Sequence, residues 1–117
     1  MKTHKDLEAW QKSMTLVTNI YGITRDYPRK EDYGITSQIR RAVVSIPSNI
    51  AEGSARNTKK EYIQFLYIAL GSISELETLL LISENLQYIE KSDTHITELT
   101  YIKKLVLGLI RYLKREL

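Results

Sequence analysis

Residues 58–86 read TKKEYIQFLYIALGSISELETLLLISENL, and the way apolar side chains recur along this stretch decides the fold. Tyr62, Phe65, Leu66, Ala69, Ile73, Leu76, Leu79, Leu80 and Leu86 return every three or four residues, which lines one face of an α-helix. Thr58 and Glu61 stand at the spacing of a capping box, in which hydroxyl and carboxylate satisfy each other's backbone donors, so the helix is predicted to start near Lys59. Ile63, Tyr67, Ile68, Leu70, Leu81 and Ile82 fall off this inner stripe. They give the helix more apolar surface than one bundle seam consumes, and part of it is expected to meet another subunit. Gln64, Gly71, Ser72, Ser74, Glu75, Glu77 and Thr78 interrupt the segment, which is therefore read as a core helix and not a membrane span.

Working outward, the same period appears three more times. Leu7, Trp10, Met14, Val17, Tyr21 and Thr24 mark a first helix, ended at Tyr27-Pro28 because proline and the residue before it resist helical geometry. A second helix is predicted over 35–52, with Ile35, Ile39, Val43, Ile46 and Ile50 facing inward. Pro47 interrupts it, removing one amide donor and crowding the Val43 carbonyl, so a kink is expected, with Ser45 and Ser48 bonding the freed groups. Gly53 is read as the left-handed residue that closes this helix. A fourth helix, capped by Ser92 or Asp93, carries Ile96, Leu99, Ile102, Val106, Leu109, Leu113 and Leu117 inward. No strand pattern or internal repeat competes, and connections this short favour antiparallel neighbours. The expectation is an all-α, antiparallel up-down-up-down four-helix bundle forming one domain over 1–117.

Composition agrees with a globular domain: 43% hydrophobic and 26% charged residues in 117. The chain has no Cys, which excludes disulfides, thiolate metal sites and thiol nucleophiles and suits a reducing cytoplasm. Charges alternate along Met1-Lys-Thr-His-Lys-Asp-Leu-Glu, so no signal peptide is expected there. The net charge of +3 is unevenly spread: residues 61–98 hold seven acids against Lys91, and residues 99–117 hold five bases against Glu116.

Helix two also carries a polar stripe. Gln38, Arg41, Ser45, Ser48, Asn49 and Glu52 recur beside the apolar face, and the third helix offers a matching strip at Ala69, Gly71, Ser72 and Glu75. Small side chains at Ala42, Ser45, Ser48 and Ala51 let another helix come close. Arg41 and Glu52 are 11 residues apart, about 16 Å along a helix, so each needs a partner elsewhere. Glu75 is the expected partner of Arg41, within a network that is a core feature, a subunit interface or a ligand site.

Leu7-Glu-Ala-Trp10-Gln-Lys, Tyr33-Gly-Ile-x-x-Gln38-Ile-x-Arg41-Ala, Ser45-Ile-Pro-Ser-Asn-Ile-Ala-Glu-Gly53 and Ala69-Leu-Gly-Ser-Ile-Ser-Glu-Leu-Glu77 together resemble the family of 23S rRNA-intervening-sequence proteins over nearly the whole chain. The resemblance implies a four-helix bundle that assembles into a ring, commonly a pentamer, encoded in some bacteria within insertions in ribosomal RNA genes. The fold is also similar to the accessory variability protein of diversity-generating retroelements, a basic pentamer that binds a reverse transcriptase and nucleic acid.

The residues themselves offer no catalytic centre. Neither His4 nor His95 follows a glutamate by three, as a di-iron bundle requires, and no His-Glu-x-x-His, Gly-x-Ser-x-Gly or phosphate-loop motif is present. Glu75 and Glu77 point to different faces. His95 is expected at the surface and Trp10 in the core. Eight tyrosines against one phenylalanine suit half-buried interface positions and base stacking alike. With no catalytic residue, cofactor or metal expected, two functions remain. One is a self-assembling scaffold with protein partners. The other is binding of RNA, or of a nucleic-acid-processing protein, with phosphate contacts from Arg40, Arg56, Lys59, Lys60, Lys103, Lys104, Lys114 and Arg115.

Overall fold

A computed structural model describes residues 3–117; Met1 and Lys2, where the charge-alternating N-terminus begins, lie outside the described residues. Four helices form: α1 (Glu8–Thr24), α2 (Ile35–Ser54), α3 (Lys59–Asn85) and α4 (Asp93–Arg115), with one-turn 3-10 helices at His4–Asp6 and Arg29–Glu31. Each helix packs on its neighbours in sequence, α4 returns to α1, and no diagonal pair of helix backbones comes close, as an up-down-up-down square requires. The pair α2–α3 is the most extensive and α1–α4 the slightest. At 1.5 Å per residue the 27 residues of α3 rise about 40 Å, close to the 46 Å long axis of the molecule.

Leu16, Ile20, Ile39, Ile46, Ile50, Leu66, Leu76, Leu80, Leu99 and Ile102 are wholly buried in one core. The α2 stripe falls where its period places it: all five predicted residues are buried. In α1 the structure corrects the sequence reading. Its buried line is Ala9, Ser13, Leu16, Ile20 and Thr24, whereas Leu7, Trp10 and Val17 are half-buried and Met14 and Tyr21 exposed. Two adjacent lines compete here, and the one with small residues wins because Ala9 and Ser13 let the helix approach closely. In α3, Ile63 proves buried while Leu86 is exposed. In α4, Ile110 joins the core, Ile96 and Leu109 are half-buried and Leu117 is exposed.

Helix α2 runs unbroken through a buried Pro47. Ser45 does not serve the freed backbone; its hydroxyl crosses to α3, 2.8 Å from Ser72 Oγ. Gly53 is likewise not a left-handed cap. It lies inside α2, no described glycine has positive φ, and a Cβ there would sit 2.8 Å from Phe65 Cβ and 3.2 Å from the Tyr62 carbonyl oxygen. Its role is the close approach of α2 to α3.

Thr58 does cap α3, accepting from the Glu61 N–H at 3.1 Å, and its hydroxyl lies 3.3 Å from the Glu61 carboxylate. At the other end of α3, Gln87 takes the left-handed conformation (φ 63°). The Tyr88 N–H then reaches the Ser83 carbonyl and the Gln87 N–H the Glu84 carbonyl, a Schellman closure made without glycine. By length and composition alone α3 is apolar enough to cross a bilayer, with a mean hydropathy of 1.7 over 18 residues, contrary to the expectation from its polar interruptions. In the bundle its inner face is core, packed against α2 and α4.

Ser92 occupies the N-cap of α4, yet its side chain does not cap the helix. Its N–H and hydroxyl both donate to Glu84 Oε1, each at 2.8 Å, tying the connection back to α3. The backbone bond first, and then the hydroxyl, hold the Glu84 carboxyl below the usual carboxylate range. A lowered folded-state pKa gives stability that is complete above the unfolded value and lost as pH falls through the folded one. Glu84→Gln is therefore expected to lower Tm at neutral pH, with the gap from the parent closing on acidification below the ordinary glutamate range. Melting curves from pH 7 to pH 2 check this, and a gap that stays constant with pH contradicts it.

Candidate functional site

The polar stripe on α2 resolves into a small network and a rim. The Asn49 amide donates to the Ser45 carbonyl at 2.8 Å and to Ser45 Oγ at 2.9 Å, which leaves the Ser45 proton free to go to Ser72. This chain crosses from α2 to α3 at half-buried depth and fixes their register. The other predicted members stay on the rim. Gln38, Arg41 and Ser48 are exposed on α2, and Glu75 is exposed on α3.

Arg41 and Glu75 line one groove of about 280 Å³ with Gln38, Ala42, Ser45 and Ser72, but no ion pair forms between them, contrary to the expectation. Both side chains are solvated, and fixing an exposed pair gains only about 0–1 kcal/mol. Glu52 turns instead to Arg56 one turn along, at 3.0 Å, on the open surface.

Beside this groove, α3 presents apolar side chains to solvent. Ile68 is 52% and Ile82 40% exposed, and Tyr67, Leu81 and Leu86 are exposed as well. Ile68, Glu75 and Ile82 recur at sevens and so share one line along the helix, next to the residues that meet α2. Leu70 and Ile63, which the sequence placed with them, turn inward to half-buried and buried positions. Open space lies around Gly71 on the same side.

The eight predicted phosphate contacts do not form one patch. Antiparallel order brings the end of α2, the start of α3 and the end of α4 together, which gathers Arg56, Lys59, Lys60, Lys114 and Arg115. Lys59 stands 3.9 Å from Glu116, and Lys114 donates to the Tyr67 hydroxyl at 2.9 Å. The Arg56 guanidinium covers the Phe65 ring at 4.6 Å. Cations stacked on aromatic faces supply the mixed charge and ring surface that single-stranded nucleic acid uses. Lys103 and Lys104 sit midway along α4, and Arg40 is nearer the other end, donating from Nε to Thr24 Oγ1 at 3.0 Å.

Trp10 is half-buried, with its ring edge-on to His4, and His95 is half-buried rather than at the surface. Among the described residues no group of three His, Asp or Glu side chains is placed to hold a metal ion. At the end opposite the cationic cluster, Tyr88 donates to Glu31 at 2.7 Å and packs against Tyr27, joining the two connections there. Sequence reading missed this tie, because 57 residues separate the partners and neither carries a local signal.

Comparison with known proteins adds three findings. No curated protein matches the chain. Among solved structures, the fold is similar to a protein of unknown function from the S23 ribosomal protein family of Bacteroides thetaiotaomicron, at 26% identity and a TM-score of 0.77, covering 87% of this chain and 97% of that one. The family model described as 23S rRNA-intervening sequence protein matches residues 5–108.

Proposed function

The chain belongs to the 23S rRNA-intervening sequence protein family, and from that premise we propose that it works by assembling copies of itself and binding RNA, without catalysis. One observation carries the reading. The outward line of α3 leaves Ile68 and Ile82 in water after the bundle has closed, and a second copy would shelter them. The groove at Arg41 and Glu75 runs beside this line and gives such an interface polar groups to set its register. A pentameric ring fits the family resemblance, and five copies of a +3 chain would carry +15.

RNA binding is supported by the five cations gathered at one end of each bundle. Weak contacts repeated around a ring add through effective concentration. Retention of a single-stranded RNA on a filter is expected to fall steeply between 50 and 200 mM salt, with a slope of about 0.7 per phosphate neutralised, and Lys59→Gln/Lys60→Gln should make the slope shallower. Retention that is absent or insensitive to salt would favour the second reading, a protein-binding scaffold with no nucleic acid, which the apolar α3 line supports equally. A cytoplasmic location belongs to the same proposal.

A further inference from the structure

The first turn of α2 borders a pocket of about 490 Å³ beside the end of α1, lined by Tyr21, Thr36, Ser37, Arg40 and Arg41, with Asp32 as its one carboxylate. Arg40 is held in place from two sides: its Nε–H donates to Thr24 Oγ1 at 3.0 Å, and its guanidinium lies 4.6 Å from the Tyr21 ring centroid. Its terminal nitrogens remain available. Neither Arg40 nor Arg41 forms an ion pair among the described residues.

The helix start adds donors to the same wall. Gly34 caps α2 without a side chain, and the Ile35 N–H is answered by Glu31 Oε1 at 3.3 Å. The helical ladder begins at Gln38, whose N–H bonds the Gly34 carbonyl at 3.1 Å, so the Thr36 and Ser37 N–H groups lie ahead of it.

Two guanidiniums and a helix N-terminus share one chemistry, that of a tetrahedral oxyanion. We propose that this pocket binds the phosphate group of a nucleotide or of an RNA strand, gripped by Arg40 and Arg41 and completed by the first turn of α2. Asp32 opposes the anion and tempers the affinity. The pocket lies away from the cationic end formed by Arg56, Lys59, Lys60, Lys114 and Arg115, so it stands whether or not that end binds RNA.

The test follows backbone amide and arginine Nε–H resonances of the full chain at constant ionic strength. The probes are inorganic phosphate, uridine 5′-monophosphate and an RNA decamer lacking terminal phosphates. Saturable shifts at Thr36, Ser37, Arg40 and Arg41 with the first two probes assign the site to a free or terminal phosphate; the same shifts with the decamer alone assign it to the RNA backbone. Arg41→Gln should weaken binding about tenfold. Asp32→Asn should tighten binding about threefold. Shifts confined to the cationic end, no shift at Thr36 and Ser37 with any probe, or binding unaltered by both variants would overturn the assignment.

Discussion

Gly53→Val is expected to destabilise the bundle by about 3 kcal/mol, seen as a Tm lower by roughly 10 °C, although glycine in a helix is ordinarily an invitation to improvement. In an open helical position alanine gains up to about 1 kcal/mol over glycine. At Gly53 even the first carbon of a side chain would meet Phe65 Cβ at 2.8 Å and Tyr62 Cδ1 at 3.0 Å. The obstacle includes the Tyr62 carbonyl oxygen at 3.2 Å, which moves only if α3 moves. Separating α2 from α3 would loosen the most extensive contact in the molecule and stretch the Ser45–Ser72 hydrogen bond. Gly108→Ala supplies the contrast, since its Cβ would meet only the end of the Arg111 side chain at 3.8 Å, and it should stabilise by about 0.4–1 kcal/mol. Thermal melts of the two variants beside the parent check both signs. A Gly53→Val protein as stable as the parent would mean the helices are not in contact there.

The second large effect concerns assembly. If Ile68 and Ile82 lie between copies, as proposed, Ile68→Glu/Ile82→Glu is expected to turn the assembled protein into a monomer with unchanged helical content. Sheltering a fully exposed isoleucine is worth about 1.5–3 kcal/mol, and about half of each side chain is still in water, so losing the two removes roughly 2 kcal/mol from each interface, about thirtyfold in dissociation constant, before the cost of burying two carboxylates. Both residues are already partly in water in the single bundle, which is why the fold should tolerate the charges. Sedimentation velocity at micromolar concentration decides the matter. A parent that already sediments as one copy would sink the proposal, as would a double variant that sediments with the parent.

How legible the molecule was in its sequence differs from helix to helix. The α2 stripe could be read directly, because its isoleucines and Val43 stand alone on one face. The α1 stripe misled because Leu7, Trp10, Met14 and Tyr21 are large, while the line that is buried includes Ala9 and Ser13, whose value lies in letting neighbours approach. Gly53 illustrates the same limit. A glycine near a helix end suits a left-handed turn and a tight crossing alike, and only the positions of Tyr62 and Phe65 separate them. Gln87 was invisible for the opposite reason, since nothing in glutamine announces a left-handed residue.

The candidate site was half legible. Spacing placed Ser45, Asn49 and Ser72 where they could meet, and the structure joins them. Spacing also put Arg41 opposite Glu75, but a shared face does not make two solvated side chains touch. Of the eight cations, those near helix ends came together through the antiparallel order, whereas Lys103, Lys104 and Arg40 did not. The pocket at the start of α2 left no mark in the sequence, because Tyr21, Thr36 and Arg40 become neighbours only when two helices cross.

The closing of the square by α1 and α4, its slightest contact, gives the bundle a hinge side and a latch side. Thermal breathing should begin at the latch, with α1 and α4 parting while α2 and α3 still clasp one another. Solvent would then reach Leu16, Ile20, Ile102 and Val106 before it reached Ile46 or Leu76, so the chain would come undone like a book falling open from its spine.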